Sequence, residues 1–110
     1  MIIYNKLFKL LEKRGITSYN IKVENLISQQ TFQKMKMCSV TDKDKENYPD
    51  KSDAEIIQAK LNQYKADKGK SFEYGVSTTT IEEICQLLQC QPKDIIEWKI
   101  DLQPELAYHK

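Results

Sequence analysis

Apolar residues recur at helical spacing at the start of the chain. The positions that fall on one face of a helix are Ile3, Leu7, Leu10 and Leu11. Arg14 and Gly15 then supply a cationic last turn and a glycine suited to end a helix. This pattern predicts a first helix of about three turns.

Two further helices follow, joined by a tight turn. Thr17 or Ser18 can cap a short second helix that runs to about residue 25, with Ile21 pointing inward. Leu26 and Ile27 form the turn, and Ser28 is a natural N-cap for a third helix.

The third helix is amphipathic. Phe32 and Met35 lie on one side, together with Thr31. At about 100° per residue, the polar side spans roughly 140° and consists of Gln29, Gln30, Gln33 and Lys34. One face is therefore expected to pack while the other stays free to contact a ligand.

Residues 38–75 follow a different pattern from the three helices before them. Residues 38–49 are polar without periodicity and are predicted to form a flexible loop. Ser52 and Glu55 then fit a capping box, Gly69 ends the segment, and the apolar spacing between them predicts a helix near residues 53–68. The residues at that spacing are Ile57, Leu61 and Tyr64.

The last part of the chain predicts two more helices. Ser77 can cap a helix, and Pro92 suits the first position of a short final one. The inward residues of the longer helix are Ile81, Ile84, Cys85 and Leu88. Beyond it, Trp98, Ile100 and Leu102 alternate with charged residues, which allows a short C-terminal edge strand.

Charge is distributed unevenly along the sequence. The net charge is only +1, but residues 1–37 hold seven basic and two acidic side chains. A basic third of this kind is where a phosphate-facing surface is expected. With 40% hydrophobic and 30% charged residues, the 110 residues fit one soluble globular domain.

The third helix carries the candidate chemistry. A glutamine amide offers a donor and an acceptor together, which matches the major-groove edge of adenine. Gln29, Gln30 and Gln33 are therefore candidates for reading bases. The candidates for holding the DNA backbone are Thr17, Ser28, Thr31, Lys34 and Lys36. The alternative is that this polar face is an ordinary solvated helix surface.

The sequence resembles the small Cro/repressor-type regulators of the xenobiotic-response-element family found in bacteria, phages and mobile elements. The resemblance covers residues 1–37 and 76–98 and rests on Gly15-Ile16-Thr17, Ile27-Ser28-Gln29, Val76-Ser77-Thr78 and Cys90-Gln91-Pro92 followed by Asp94-Ile95-Ile96. It implies an all-α, five-helix, lambda-repressor-like DNA-binding domain that binds operators as a dimer.

Two departures from the family pattern affect this interpretation. Leu26 stands where the family usually places a glycine, and leucine tolerates a left-handed conformation poorly. The family also has only a short loop between its third and fourth helices, where this chain has residues 38–75. We therefore expect a single domain at 1–110, with core 1–37 and 76–98, insert 38–75 and tail 99–110.

Enzymatic readings are poorly supported by the sequence. The one histidine, His109, lies next to the end of the sequence, and three glycines are too few for a phosphate-cradling loop. Cys38, Cys85 and Cys90 lack the spacing of a zinc site or a disulfide framework and are expected to be free thiols, with Cys38 in an exposed loop. We expect no catalysis, cofactor or metal, and no signal or membrane segment, hence a cytoplasmic protein.

The apolar residues of the insert leave a question open. Packing back onto their own domain and pairing with a second subunit are both possible. The residues of this possible dimer or partner surface are Ile57, Leu61, Tyr64, Phe72, Tyr74 and Trp98.

Two functions from different classes follow. The first is a transcriptional regulator, a repressor acting as a homodimer, whose third helix enters the major groove of a double-stranded DNA operator. The second is a protein-interaction module of helix-turn-helix shape that binds a protein partner through residues 38–75.

Overall fold

The structure is a computed structural model that describes residues 1–99. Over that range the chain is mostly helical, as the sequence predicted, with one small antiparallel sheet. In chain order its elements are β1 (Ile2–Ile3), α1 (Asn5–Lys13), α2 (Ser18–Val23), α3 (Gln29–Met37), α4 (Asp42–Asn47), α5 (Asp53–Lys68), α6 (Thr78–Leu88), one turn of 3-10 helix (Pro92–Asp94) and β2 (Glu97–Trp98).

Short-range capping signals place most of the helix boundaries. The side chains of Thr17, Ser28, Ser52 and Ser77 each accept a hydrogen bond from the backbone N–H three residues on, which confirms these N-caps. α5 ends at Gly69, whose φ of 72° is left-handed, so the predicted insert helix is confirmed at both ends.

Two expectations about elements were wrong. Ile3 belongs to β1 and pairs with Glu97 across the sheet, so it is not part of the first helix. Residues 42–47 form α4 rather than a flexible loop, because Thr41 and Asp44 make a reciprocal capping box. α4 contributes no buried residue, which explains why hydrophobic periodicity gave no sign of it.

The turn between α2 and α3 avoids the strain that the sequence suggested at Leu26. Asn25 takes the left-handed conformation, with φ of 52°, and is one of two such non-glycine residues within residues 1–99. Asparagine tolerates this region better than leucine does. Leu26 instead packs half-buried against the core, and its N–H donates to the carbonyl of Ile21.

The insert helix packs into the protein's own core. Ile57 is fully buried and Leu61 is 9% exposed, so the expectation that they form a dimer or partner surface was wrong for these two residues. Tyr64 and Phe72 are half-buried and meet edge to face, with ring centroids 4.9 Å apart. Of the remaining residues predicted for that surface, Tyr74 and Trp98 are exposed.

Polar contacts fix the insert to the end of α3. Lys60 of α5 donates to the carbonyl of Ser39 at 2.7 Å and pairs with Asp44 of α4 at 3.2 Å. Burial alone would raise the pKa of Asp44, but hydrogen bonds from the Thr41 backbone and from Lys60 outweigh it and lower that pKa.

Asn5 of α1 joins the same region from the other side. Its amide nitrogen donates to Asp53 at 3.1 Å, and its amide oxygen accepts from the Val40 N–H at 2.7 Å. One side chain thus connects α1, the segment after α3 and the start of α5. Ile100, Leu102 and His109 lie outside the described residues, and no helix within residues 1–99 is long and apolar enough to cross a membrane.

Candidate nucleic-acid interface

α2 and α3 are held together by a shared set of buried side chains. Ile21 of α2, Ile27 of the turn, and Phe32 and Met35 of α3 are each at most 5% exposed and belong to one core cluster. Burial of such side chains drives helices to pack together, and the interlocking of the side chains favours particular angles between them. The inner face of α3 is therefore packed into the core, as its periodicity predicted.

The opposite face of α3 points to solvent. Gln29, Gln30 and Gln33 are exposed, and none of their side chains makes a hydrogen bond among those the structure gives for residues 1–99. At 100° per residue, the three fall within a sector of about 100°. Three amides with donors and acceptors free for a ligand thus lie side by side.

Two lysines border this glutamine face, one on each edge. Lys36 lies over the Phe32 ring, with its Nζ 4.6 Å from the ring centroid, a cation–π arrangement that directs the ammonium along one flank. Lys34 is half-buried on the other flank and donates to the carbonyl of Gly75 at 3.2 Å. Positive charge therefore flanks the amides on both sides.

The contact between Lys34 and Gly75 brings the end of the insert beside α3. Gly75 follows Tyr74, which is 43% exposed. Sequence reasoning did not place these residues beside α3, because a contact across 41 positions leaves no trace in local spacing.

Thr17, Ser28 and Thr31 serve the helix ends. Thr17 and Ser28 are exposed N-caps of α2 and α3, and their side-chain oxygens accept hydrogen bonds from the Asn20 and Thr31 backbone N–H groups at 3.2 Å. Thr31 is half-buried, and its hydroxyl accepts a hydrogen bond from Ser28 at 2.9 Å. Because both caps are exposed, the positive ends of these two helix dipoles are open to solvent.

The cysteine expected in an exposed loop lies elsewhere. Cys38 is 1% exposed at the end of α3, and its burial raises its pKa to about 11. A thiol with that pKa holds almost no thiolate at neutral pH, so Cys38 is an inert core residue. Cys85 is buried on α6 as predicted, and all three cysteines are free thiols.

Comparison with known proteins bears on this arrangement. A family model described as the Cro/C1-type HTH DNA-binding domain matches residues 52–101. This part of the chain is similar to the Cro/C1-type helix-turn-helix DNA-binding domain. Comparison with curated proteins and with solved structures finds no significant match to either.

The matched range differs from the resemblance that the sequence suggested. It includes the second block of that resemblance, residues 76–98, and it also takes in α5 of the insert. It does not reach residues 1–37, where α2 and α3 lie. The Cro/C1-type assignment and the glutamine face of α3 thus come from separate parts of the chain, and the structure packs these parts into one core cluster.

Proposed function

We propose that this protein is a sequence-specific transcriptional repressor that binds its operator as a dimer, with α3 as the recognition helix in the major groove. The observation that carries the proposal is the glutamine face of α3. Gln29, Gln30 and Gln33 are exposed on a helix whose other face is seated in the core. A recognition helix needs both properties, because a helix packed loosely on its domain would not hold its amides at fixed positions against the bases.

The proposed contacts divide into two classes. Gln29 and Gln30 lie at the N-terminal end of α3, the end that enters the groove most deeply in helix-turn-helix complexes. Their amides make paired hydrogen bonds to adenine, while Gln33 reaches a base or a phosphate one turn further on. Lys34 and Lys36 hold the phosphates on either side of the groove, together with the capped ends at Thr17 and Ser28.

A dimer suits this proposal because one recognition helix reads too few base pairs for a specific site. Repression by occlusion suits a dimer that covers two adjacent half-sites of an operator. The competing function, a protein-interaction module acting through residues 38–75, loses its main support, since Ile57 and Leu61 are buried in their own core.

The proposal is tested by selecting sites from random DNA with the full chain and measuring affinity for the best site against salt concentration. We expect a palindromic site bound in the nanomolar range, weakening steeply with salt. Lys34→Ala and Lys36→Ala should each lower the slope of log affinity against log salt by about 1 per bound subunit.

Lys93→Ala is the matched control. Lys93 is exposed on the 3-10 turn, which packs against α1 and α6. The proposal predicts an unchanged slope for this variant. Equal slopes for all three variants would show that α3 does not face the phosphates, and selection of no site at low salt would refute sequence-specific binding.

A further inference from the structure

The C-terminal end of α6 is built around two cysteines. Gln89 adopts a left-handed conformation, with φ of 50°. The N–H of Cys90 donates to the carbonyl of Cys85 at 3.0 Å, and the N–H of Gln89 donates to the carbonyl of Gln86 at 3.3 Å. This pair of bonds is the Schellman motif, in which a six-residue loop closes the helix end.

The motif decides which side chains meet. The first residue of the six-residue loop accepts a hydrogen bond from the N–H of the last, and the side chains of these two residues usually touch as an apolar pair. Here both positions are cysteines, Cys85 and Cys90. The turn thus juxtaposes two free thiols that are five positions apart along the chain.

The two thiols differ in accessibility. Cys90 is half-buried, whereas Cys85 is 7% exposed. Both line a cleft of about 490 Å³ that Gln86, Gln89 and Asp94 also border. Within residues 1–99, no group of three or more metal-ligating side chains forms, so the pair lacks the further ligands of a metal centre.

We propose that Cys85 and Cys90 form a redox-active dithiol that is oxidised to an intramolecular disulfide by a low-molecular-weight disulfide. This modification site is independent of the DNA-binding face on α3.

The order of attack follows from exposure. The Cys90 thiolate attacks one sulfur of the external disulfide, which forms a mixed disulfide and releases one external thiolate. The Cys85 sulfur then attacks the Cys90 sulfur, gives up its proton to solvent and displaces the second external thiolate. Cys85 and Cys90 together lose two electrons and two protons, and the external disulfide becomes two thiols.

The state of Cys85 agrees with its place as the second nucleophile. Burial raises its pKa to about 11, with the neighbouring Cys90 thiol as a further cause. A thiol of this kind reacts slowly with reagents in solution and gains its rate from a partner already held beside it.

The test uses the full chain and oxidised glutathione, followed by alkylation of the remaining thiols and mass spectrometry. We expect the wild type to lose the mass of two hydrogen atoms, with a peptide linked between Cys85 and Cys90. Cys85→Ser should instead hold a glutathione adduct on Cys90. In the wild type that adduct should be at least about a hundredfold less abundant, because the second thiol acts at a high effective concentration.

Cys38→Ser is the matched control, since it removes a cysteine but leaves the pair intact. It should form the disulfide as the wild type does, and Cys90→Ser should form neither disulfide nor adduct. Far-UV circular dichroism checks that each variant is folded, with alanine replacing serine where it is not. A glutathione adduct as stable in the wild type as in Cys85→Ser, or a disulfide that includes Cys38, would overturn the proposal.

Discussion

Replacing Lys60 with methionine tests how the insert is held. The Lys60 ammonium donates to the Ser39 carbonyl at 2.7 Å and pairs with Asp44 at 3.2 Å, and both charged side chains are only 20% exposed. Methionine keeps most of the side-chain length and apolar packing but removes the charge and the donor. The change therefore isolates the polar contacts between α5 and the segment after α3.

The expected cost is about 1.5–4 kcal/mol in the free energy of unfolding. A hydrogen bond to a charged group contributes roughly 1.5–3 kcal/mol, and an ion pair that keeps some exposure adds at most about 1 kcal/mol. In a chain of this size, a loss of that order lowers the Tm by about 10 °C. Urea unfolding and a thermal scan monitored by circular dichroism measure both quantities.

Lys65→Met is the control, because it makes the same change at an exposed position on the same helix. Its cost should stay below about 0.5 kcal/mol, as is usual for surface substitutions. If Lys60→Met were as mild as Lys65→Met, the polar contacts would not hold the insert, and the reasoning from their geometry would be refuted.

Three further outcomes check other parts of the account. Ile57→Ala should cost about 2–5 kcal/mol because Ile57 is fully buried, whereas the exposed Tyr74→Ala should cost below about 1 kcal/mol; equal costs in chemical denaturation would contradict the packing of α5. Asn25→Gly should be neutral or stabilising at its positive φ, while Leu26→Gly should destabilise by more than about 1 kcal/mol through lost packing; the reverse order in thermal melts would place the left-handed residue at Leu26. Asp44→Asn should lower the free energy of unfolding at neutral pH. Because folding lowers the pKa of Asp44, this difference in stability from the wild type should persist above the ordinary pKa of 3.8 and shrink as the pH falls through the lower pKa of the folded state. A stability difference in urea titrations that does not depend on pH would contradict that shift.

The sequence predicted the helices whose signals are local. Ser28, Ser52 and Ser77 each combine a capping side chain with apolar spacing behind it, and the structure confirms all three helix starts. α4 was not predicted, because it buries no side chain and its only sequence signal is the capping box at Thr41 and Asp44. β1 was not predicted, because Ile3 pairs with the distant Glu97 and a two-residue strand is too short to show a periodic pattern.

The candidate site likewise has some features that local sequence patterns predict and others that they do not. The exposure of Gln29, Gln30 and Gln33 follows from the period of α3, so it was predictable from sequence. The contact of Lys34 with Gly75 and the burial of Cys38 depend on how the insert folds back over the end of α3, which local patterns do not encode. The place of the insert in the core had two possible answers from sequence, and packing within the same chain is the one that the structure shows.

The central claim is that α3 reads DNA through its glutamine face. The most direct measurement is the affinity of Gln29→Ala and Gln30→Ala for the selected site, compared with Gln63→Ala, an exposed glutamine on α5 within the range matched by the Cro/C1-type model. The account predicts a loss of about 1–3 kcal/mol, roughly 5- to 150-fold, for each α3 variant with the fold intact. It predicts no loss for Gln63→Ala. Unchanged affinity in both α3 variants would contradict the account. A loss confined to Gln63→Ala would also contradict it and would assign the contact with the bases to α5.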